Sequence, residues 1–221
     1  GLDSIGKPVK YDKMFTADDL KNSSVRTLVW IAKINEKYGA DEARKAFSEA
    51  RNRDEYDYLI DVMFGEAALE ERQTNWDRVL AIYQEIQDNF PSDERAADAA
   101  LAKADAFAKL GKHDKAIAEY ESVLRTPAWR GNAHAEALYK LGKIAQLDSK
   151  IDAALMYYDR CYLGFANCYK WTGKALLSAA QLLSAQNNKD KAKEICDEFL
   201  GNKLNEASPD FSEIKQYRLT L

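Results

Sequence analysis

The sequence has few of the residues that interrupt helices or form covalent and metal sites. Its 221 residues include four prolines, ten glycines, three cysteines and two histidines. Because helix-breaking residues are few and no serine- or glycine-rich linker is present, the sequence does not indicate a domain boundary. The cysteines form neither a C-x-x-C motif nor a paired framework, so we expect free, buried thiols rather than disulfides or a zinc site. They are Cys161, Cys168 and Cys196.

Sequence motifs of catalysis are also missing. His113 and His134 form no H-E-x-x-H pair, and the chain has neither a glycine-rich phosphate loop nor a G-x-S-x-G motif. The acidic residues fall on helix exteriors, where we expect a solvated face. The sequence therefore predicts no catalytic residue, no metal and no cofactor. An α-helical enzyme stays open as an alternative, because carboxylates that are distant in sequence can still meet in space.

The charge balance and the hydrophobic pattern restrict the kind of partner. Charged residues of both signs make up 31% of the chain, hydrophobic residues make up 46%, and the formal net charge is −4. This composition predicts a folded chain and argues against nucleic acid as the main partner. No apolar run approaches the roughly 18 residues that a membrane-spanning helix needs.

The clearest pattern lies in residues 97–127. Small or apolar residues recur there with the i, i+3, i+4, i+7 spacing of one helix face, and Gly111 separates two such series. We therefore predict two antiparallel helices, with alanines where the backbones approach closely. The positions are Ala100, Ala104, Phe107 and Ala108 in the first helix, and Ala116, Ile117, Tyr120, Val123 and Leu124 in the second.

The same stretch resembles a tetratricopeptide repeat. The resemblance is carried by Ala104, Phe107, Gly111, Ala116, Tyr120 and Pro127. The first helix departs from the family pattern, because it lacks the usual aromatic residue and leucine–glycine pair. The resemblance implies an all-α fold in which helix hairpins stack into a right-handed superhelix. In such a fold the first helices line a concave groove that binds an extended peptide or a partner helix.

The pattern recurs five times along the chain. An alanine or valine that packs in each second helix returns every 36–38 residues, an aromatic residue or cysteine follows it by four, and a further packing residue precedes it by twelve. This register predicts about five hairpins. The three sets are Ala43, Val79, Ala116, Ala154 and Ala192; Phe47, Tyr83, Tyr120, Tyr158 and Cys196; and Ile31, Ala67, Ala104, Gly142 and Ala180.

We predict one helical-repeat domain over residues 1–221. An irregular lead-in covers residues 1–22, where Thr16 and Asp19 have the spacing of a capping box. A polar closing helix at residues 211–219 is expected to cap the stack, and capping favours a monomer. The helix pairs are predicted at residues 24–51, 54–90, 92–127, 132–166 and 171–201.

Three residues are candidates for the groove. The resemblance implies that residues beside the packing positions, and those one turn further along each first helix, face the partner. This nominates Tyr139, Lys143 and Asp105 as partner contacts. Apolar residues at matching positions are interpreted instead as packing against neighbouring helices; they are Leu28, Phe64 and Leu101.

A second candidate is a cluster of six aromatic residues within fifteen positions. Tyr and Trp make large contacts at low entropic cost, which suits a binding hot spot. Tyr162, Tyr169 and Trp171 are therefore nominated as partner contacts. The alternative interpretation is a buried aromatic plug between the fourth and fifth repeats. The cluster comprises Tyr157, Tyr158, Tyr162, Phe165, Tyr169 and Trp171.

Residues 83–91 and 110–120 resemble the repeats of bacterial cell-envelope adaptors of the tetratricopeptide family. The resemblance implies an exported bacterial protein of the periplasm or cell envelope, with the cytoplasm as the alternative. The sequence begins at Gly1 without a methionine, so we expect that an export signal has been removed.

The leading functional hypothesis is a non-catalytic scaffold or adaptor that binds a protein or peptide. A structural or self-assembling domain of a larger exported protein is the alternative.

Overall fold

The computed structural model describes residues 15–36, 39–53 and 56–221, and its regular elements in these ranges are all helical. The all-α fold predicted from the sequence is therefore confirmed. Short 3₁₀ helices at Pro127–Trp129 and Lys203–Ala207 supplement the α-helices. The α-helices are α1 (Ala17–Asn22), α2 (Val25–Asn35), α3 (Ala40–Arg51), α4 (Tyr56–Arg72), α5 (Trp76–Asn89), α6 (Ala96–Lys109), α7 (His113–Arg125), α8 (Asn132–Leu147), α9 (Ile151–Gly164), α10 (Tyr169–Ala185), α11 (Lys189–Gly201) and α12 (Phe211–Thr220).

The chain divides into two compact units, which we call unit 1 (residues 1–91) and unit 2 (residues 92–221). Unit 1 contains the hairpins α2–α3 and α4–α5, and unit 2 contains α6–α7, α8–α9 and α10–α11. A single repeat domain spanning all residues stays a prediction.

The lead-in of unit 1 is partly helical rather than irregular. Residues 1–14 lie outside the described residues, but Thr16 caps α1, and its hydroxyl accepts a hydrogen bond from the backbone N–H of Asp19. The Asp19 carboxylate accepts one in return from the Thr16 backbone, at 2.7 Å. This capping box satisfies donors that a helix start leaves free, which explains why so short a helix forms.

Unit 1 buries two glutamates that the sequence pattern assigns to a solvated face. Glu70 is 2% exposed, and Arg44 donates to both of its oxygens at 2.6 and 2.9 Å. Glu66 is 8% exposed and pairs with Arg51 and Arg78 at 2.8 and 2.7 Å. Buried carboxylates require such partners, so the expectation of a uniformly solvated acidic surface is wrong for this unit.

The repeated positions lie in the cores of the two units. The five residues of the second-helix set, Ala43 to Ala192, are each 0% exposed, and the aromatic-or-cysteine set is at most 6% exposed. In unit 2 the hairpin α8–α9 shows why the first-helix position is small: Gly142 lies against the ring of Tyr158. The predicted packing positions are therefore confirmed as core positions.

In unit 2 the first helices of the hairpins form one layer. Helix α6 packs on α8, and α8 packs on α10. Within residues 92–221, no comparable packing joins the second helices α7 to α9 or α9 to α11. The first helices of unit 2 therefore pack on one another more closely than the second helices do. Their solvent-facing sides make the inner face of this unit.

Helix α12 closes the end of unit 2, as predicted. It packs on α10 and α11, with Ile214 fully buried and the Phe211 ring centroid 6.3 Å from that of Phe199. Arg218 donates to both carboxylate oxygens of Asp197 at 2.7 Å. The opposite side of the helix is exposed and polar, which is typical of a capping helix.

Candidate functional site

The inner face of unit 2 carries a mixed row of charged and aromatic side chains. By the inner face we mean the solvent-facing sides of α6, α8 and the first turns of α10. Its members differ in one respect that bears on binding, namely whether their polar groups are already paired within the protein. They are Asp98, Asp105, Glu136, Tyr139, Lys140, Lys143, Lys170, Trp171 and Lys174.

Asp105, a predicted contact, is fully engaged in internal bonds. Its carboxylate accepts a hydrogen bond from the Tyr120 hydroxyl, and Lys140 donates to both of its oxygens at 3.0 and 3.1 Å. Burial, with the adjacent Asp105, raises the pKa of Tyr120 far above its ordinary value, so Tyr120 stays a donor. Asp105 therefore links α6, α7 and α8, and it has little capacity left for a partner.

Tyr139, the second predicted contact, is half-buried on α8. Its ring centroid lies 5.6 Å from that of Trp171 on α10 and 6.0 Å from that of Tyr158 on α9. Burial is the main cause that raises the pKa of its hydroxyl, which stays protonated at neutral pH. The structure thus fixes this ring between two others while part of it still meets solvent.

Trp171 supports Tyr139 instead of offering its own surface. It is only 6% exposed, and the ammonium groups of Lys170 and Lys174 lie 4.4 and 5.3 Å from its ring centroid. Such cation–π contacts hold both lysines near the ring. Trp171 as a partner contact stays a prediction, and only a small part of its ring is open to a partner.

Lys143, the third predicted contact, lies one turn beyond Tyr139 and is half-buried. Among the described residues, no hydrogen bond or ion pair engages its ammonium group. It is therefore a charge on the inner face that is available to a partner.

Glu136 belongs to the same face, although it was not among the partner contacts predicted from the sequence. It stands three residues before Tyr139 on α8 and is half-buried. Burial raises the pKa of its carboxyl, and Asp105 and Asp98 raise it further, while Lys140 and Lys170 act in the opposite direction. The i, i+3 spacing to Tyr139 was the signal in the sequence that could have identified it.

The six aromatic residues of the predicted cluster do not form one surface. Tyr158 is 0% exposed, and its hydroxyl donates to Gln146 Oε1 at 2.9 Å. Phe165 packs near His134, with ring centroids 6.0 Å apart. The reason is that α9 ends at Gly164 and the chain turns before α10 begins at Tyr169, so the rings point to different sides. Tyr158 and Phe165 therefore contact residues of α8 within their own hairpin.

The two remaining nominees are Tyr162 and Tyr169. Tyr162 is half-buried and lines a cavity of about 230 Å³ together with Thr172, Leu176 and Phe199. Tyr169 starts α10, and its carbonyl oxygen accepts a hydrogen bond from Ser208 at 3.1 Å. The structure brings Tyr139, Lys143 and Asp105 together, but not these two.

Metal binding and membrane crossing require other features, which can be checked among the described residues. These residues contain no group of three or more His, Cys, Asp or Glu side chains that could hold a metal ion. Nor does any helix in these ranges combine the length and the apolar character that crossing a membrane requires.

The hairpins, their register and the capping helix define a helical-repeat protein. More particularly, a family model of the tetratricopeptide repeat matches residues 98–126, which cover nearly all of α6 and the whole of α7. The chain therefore carries a tetratricopeptide repeat, and the resemblance stated from its residues is confirmed.

Solved structures share the fold over most of the chain. BtubC (BKLC) from P. vanneervenii superposes with a TM-score of 0.60 at 17% identity, covering 89% of this chain and 82% of BtubC. PilW, described as a widely conserved type IV pilus biogenesis factor, gives 0.56 at 18% identity, covering 90% of this chain and 84% of PilW. At these identities the likeness concerns the fold alone. A search of curated proteins gave no match.

Proposed function

We propose that the protein is a non-catalytic scaffold or adaptor that binds a protein or peptide through the inner face of unit 2. The observation that carries the proposal is the half-buried ring of Tyr139, which lies on α8 between Glu136 and Lys143, two charged groups that have no hydrogen-bond or ion-pair partner among the described residues. The tetratricopeptide repeat supports a role in protein interaction in general terms.

The charged groups of the inner face differ in whether they already form hydrogen bonds within the protein. A partner gains little from Asp105, because its oxygens already accept from Tyr120 and Lys140. Glu136 and Lys143 are partly desolvated without compensating bonds, so a partner that supplies those bonds recovers free energy that the isolated protein lacks. Tyr139 adds a rigid aromatic contact, held in place by Trp171, at low entropic cost.

Affinity capture from the lysate of the source organism tests this proposal. We would compare the wild-type chain with Tyr139→Ala/Lys143→Glu. The matched control is Met156→Ala/Arg160→Glu on the exposed side of the second helix α9, which makes the same kinds of change away from the inner face. Thermal melts of all three chains verify that each one folds.

The expected result is a protein that the wild type and the control retain and that the inner-face variant loses. A partner that the inner-face variant retains, or one lost only by the control, would contradict the inner face as the binding surface.

We further propose that the protein works in the bacterial cell envelope, in the periplasm. The resemblance of residues 83–91 and 110–120 to envelope adaptors supports this location, as does the fold shared with a type IV pilus biogenesis factor. Fractionation of the source bacterium, with an antibody against the chain, should find it in the periplasmic or envelope fraction. Recovery from the cytoplasm would favour the alternative.

A further inference from the structure

Glu136 is a half-buried carboxylate on the inner face, and the part of the chain that the structure describes provides it with no partner. Among the described residues, no hydrogen bond or ion pair holds its oxygens. Burial raises the pKa of this carboxyl, and Asp105 and Asp98 on α6 add to that effect. A carboxylate in such surroundings is more stable when a cation reaches it.

The two lysines that act electrostatically on Glu136, Lys140 and Lys170, each interact with another group. Lys140 donates to both oxygens of Asp105 at 3.0 and 3.1 Å, which leaves it one donor at most for Glu136. The ammonium of Lys170 lies 4.4 Å from the Trp171 ring centroid. Both lysines lower the pKa of Glu136 from a distance, but neither forms an ion pair with it.

Tyr139 makes the surroundings of Glu136 suitable for a particular kind of cation. Residues three apart on a helix are neighbours on its surface, so Glu136 and Tyr139 occupy adjacent positions on α8. The face of an aromatic ring attracts an ammonium or guanidinium group and packs against its aliphatic stem. Asp98, one helix away on α6, extends the negative potential along the same side.

We propose that the inner face of unit 2 selects a protein segment with a lysine or arginine side chain, which pairs with Glu136 and lies across the ring of Tyr139. This inference rests on the proposed function and adds the chemical class of the partner. The carboxylate of Glu136 favours a cationic partner at this position. Of the two cations that act on Glu136, Lys140 is engaged with Asp105 and Lys170 with Trp171, whereas the carboxylate has no partner among the described residues, so a basic side chain fits at this point. Lys143, also without a partner among those residues, lies one turn beyond Tyr139 on the same helix.

Fluorescence anisotropy with labelled peptides tests the inference without knowledge of the natural partner. We would use three pools of ten-residue peptides with the same apolar residues, which differ only in having arginine, glutamine or glutamate at the variable polar positions. The wild-type chain should bind the arginine pool about tenfold more tightly than the glutamine pool, and the glutamate pool most weakly. A tenfold preference corresponds to about 1.4 kcal/mol.

Two single substitutions make the test specific. Glu136→Gln keeps the size and the hydrogen-bonding shape of the side chain, and it should remove most of the preference for arginine while leaving the thermal melt unchanged. Glu194→Gln, at an exposed position on the second helix α11, removes the same charge and should keep the preference. A preference for arginine that survives Glu136→Gln would overturn the inference.

The remaining outcomes separate this inference from the proposed function. If the glutamine or glutamate pool binds as tightly as the arginine pool, and Tyr139→Ala/Lys143→Glu abolishes that binding, the inner face is a binding surface but the selection of a basic segment is wrong. If the arginine pool binds the wild type, Glu136→Gln and the double variant equally, both proposals fail. If no pool binds, the selection of a basic segment is overturned, and the capture experiment decides the proposed function by itself.

Discussion

Gly142 on α8 lies so close to Tyr158 on α9 that a Cβ atom at position 142 would be 2.6 Å from Tyr158 Cδ1, and closer still to Cε1. Tyr158 is 0% exposed, and its hydroxyl is held by Gln146, so the ring has no easy way to move aside. The contact explains why position 142, twelve residues before Ala154, must be small in the hairpin α8–α9.

Gly142→Leu should therefore destabilise the protein. Overpacking at a helix crossing costs about 1–3 kcal/mol in the free energy of unfolding. The control Gly164→Leu lies at the end of α9, where a Cβ atom meets nothing within 4 Å, and should be close to neutral. Lys143→Leu, next to Gly142 but facing solvent, should also be close to neutral. Equal urea or thermal unfolding curves for Gly142→Leu and Gly164→Leu would contradict the repeat register.

The contact between Gly142 and Tyr158 was predictable because it follows from helical periodicity. Residues that pack at every turn, such as Ala116 and Tyr120, repeat at fixed intervals, and the interval alone identifies them. The end of α9 at Gly164 and the closing helix from Phe211 follow from the same kind of local signal. These features depend on neighbours in sequence or on a regular repeat.

The ion pairs were not predictable in this way. Asp105 and Lys140 are 35 residues apart, and Arg44 and Glu70 are 26 apart. Their meeting depends on how adjacent helices are rotated and on side-chain rotamers, which no periodicity encodes. For the same reason the sequence left two interpretations of the aromatic residues near α9 open, a binding surface and a buried plug, and it could not assign the individual rings to one or the other.

The ion pair of the buried Glu70 with the partly exposed Arg44 should contribute to stability in a pH-dependent way. The hydrogen bonds from Arg44 are the main cause that lowers the pKa of Glu70, and burial opposes them. Because the folded-state pKa lies below the unfolded one, the stabilisation is complete above the unfolded pKa and is lost as pH falls through the folded one. Glu70→Gln should cost about 1–3 kcal/mol at neutral pH.

Urea unfolding at several pH values measures this effect. The difference between the wild type and Glu70→Gln should begin to shrink as pH falls through the ordinary glutamate range, and it should continue to shrink below that range because the folded-state pKa is lowered. The control Glu42→Gln removes an exposed pair with Lys45 and should change stability by less than about 0.5 kcal/mol at any pH. A difference for Glu70→Gln that is independent of pH would show that its charge is not what stabilises unit 1.

The capping role of α12 predicts the state of association. Ile214 is 0% exposed beneath this helix, so Ile214→Asp should detach the helix and uncover apolar surface on α10 and α11. Light scattering at micromolar concentration should then show a monomer for the wild type and concentration-dependent association for the variant. The control Gln216→Asp makes the same change in charge at an exposed position of the helix and should stay monomeric. A stable wild-type dimer would favour the self-assembling alternative.

The raised pKa of Glu136 predicts how binding of a basic segment depends on pH. Asp98 and Asp105 on α6, Lys140 on α8 and Lys170 on α10 all face this carboxyl, and the net effect with burial is upward. The affinity of the wild type for arginine peptides should therefore begin to fall at a higher pH than the ordinary glutamate range. Glu136→Gln should flatten this dependence in the anisotropy titration. An equally steep dependence in that variant would assign the titration to another group.

Hydrogen–deuterium exchange of the full chain, with and without the protein captured from the lysate, tests the inner face most directly. The account predicts that binding slows exchange in α8, around Glu136, Tyr139 and Lys143, and in the neighbouring first helices α6 and α10. It predicts little change in the second helices α7, α9 and α11. Protection confined to those second helices, or to the cavity lined by Tyr162, would contradict the central claim and place the binding surface elsewhere in the chain.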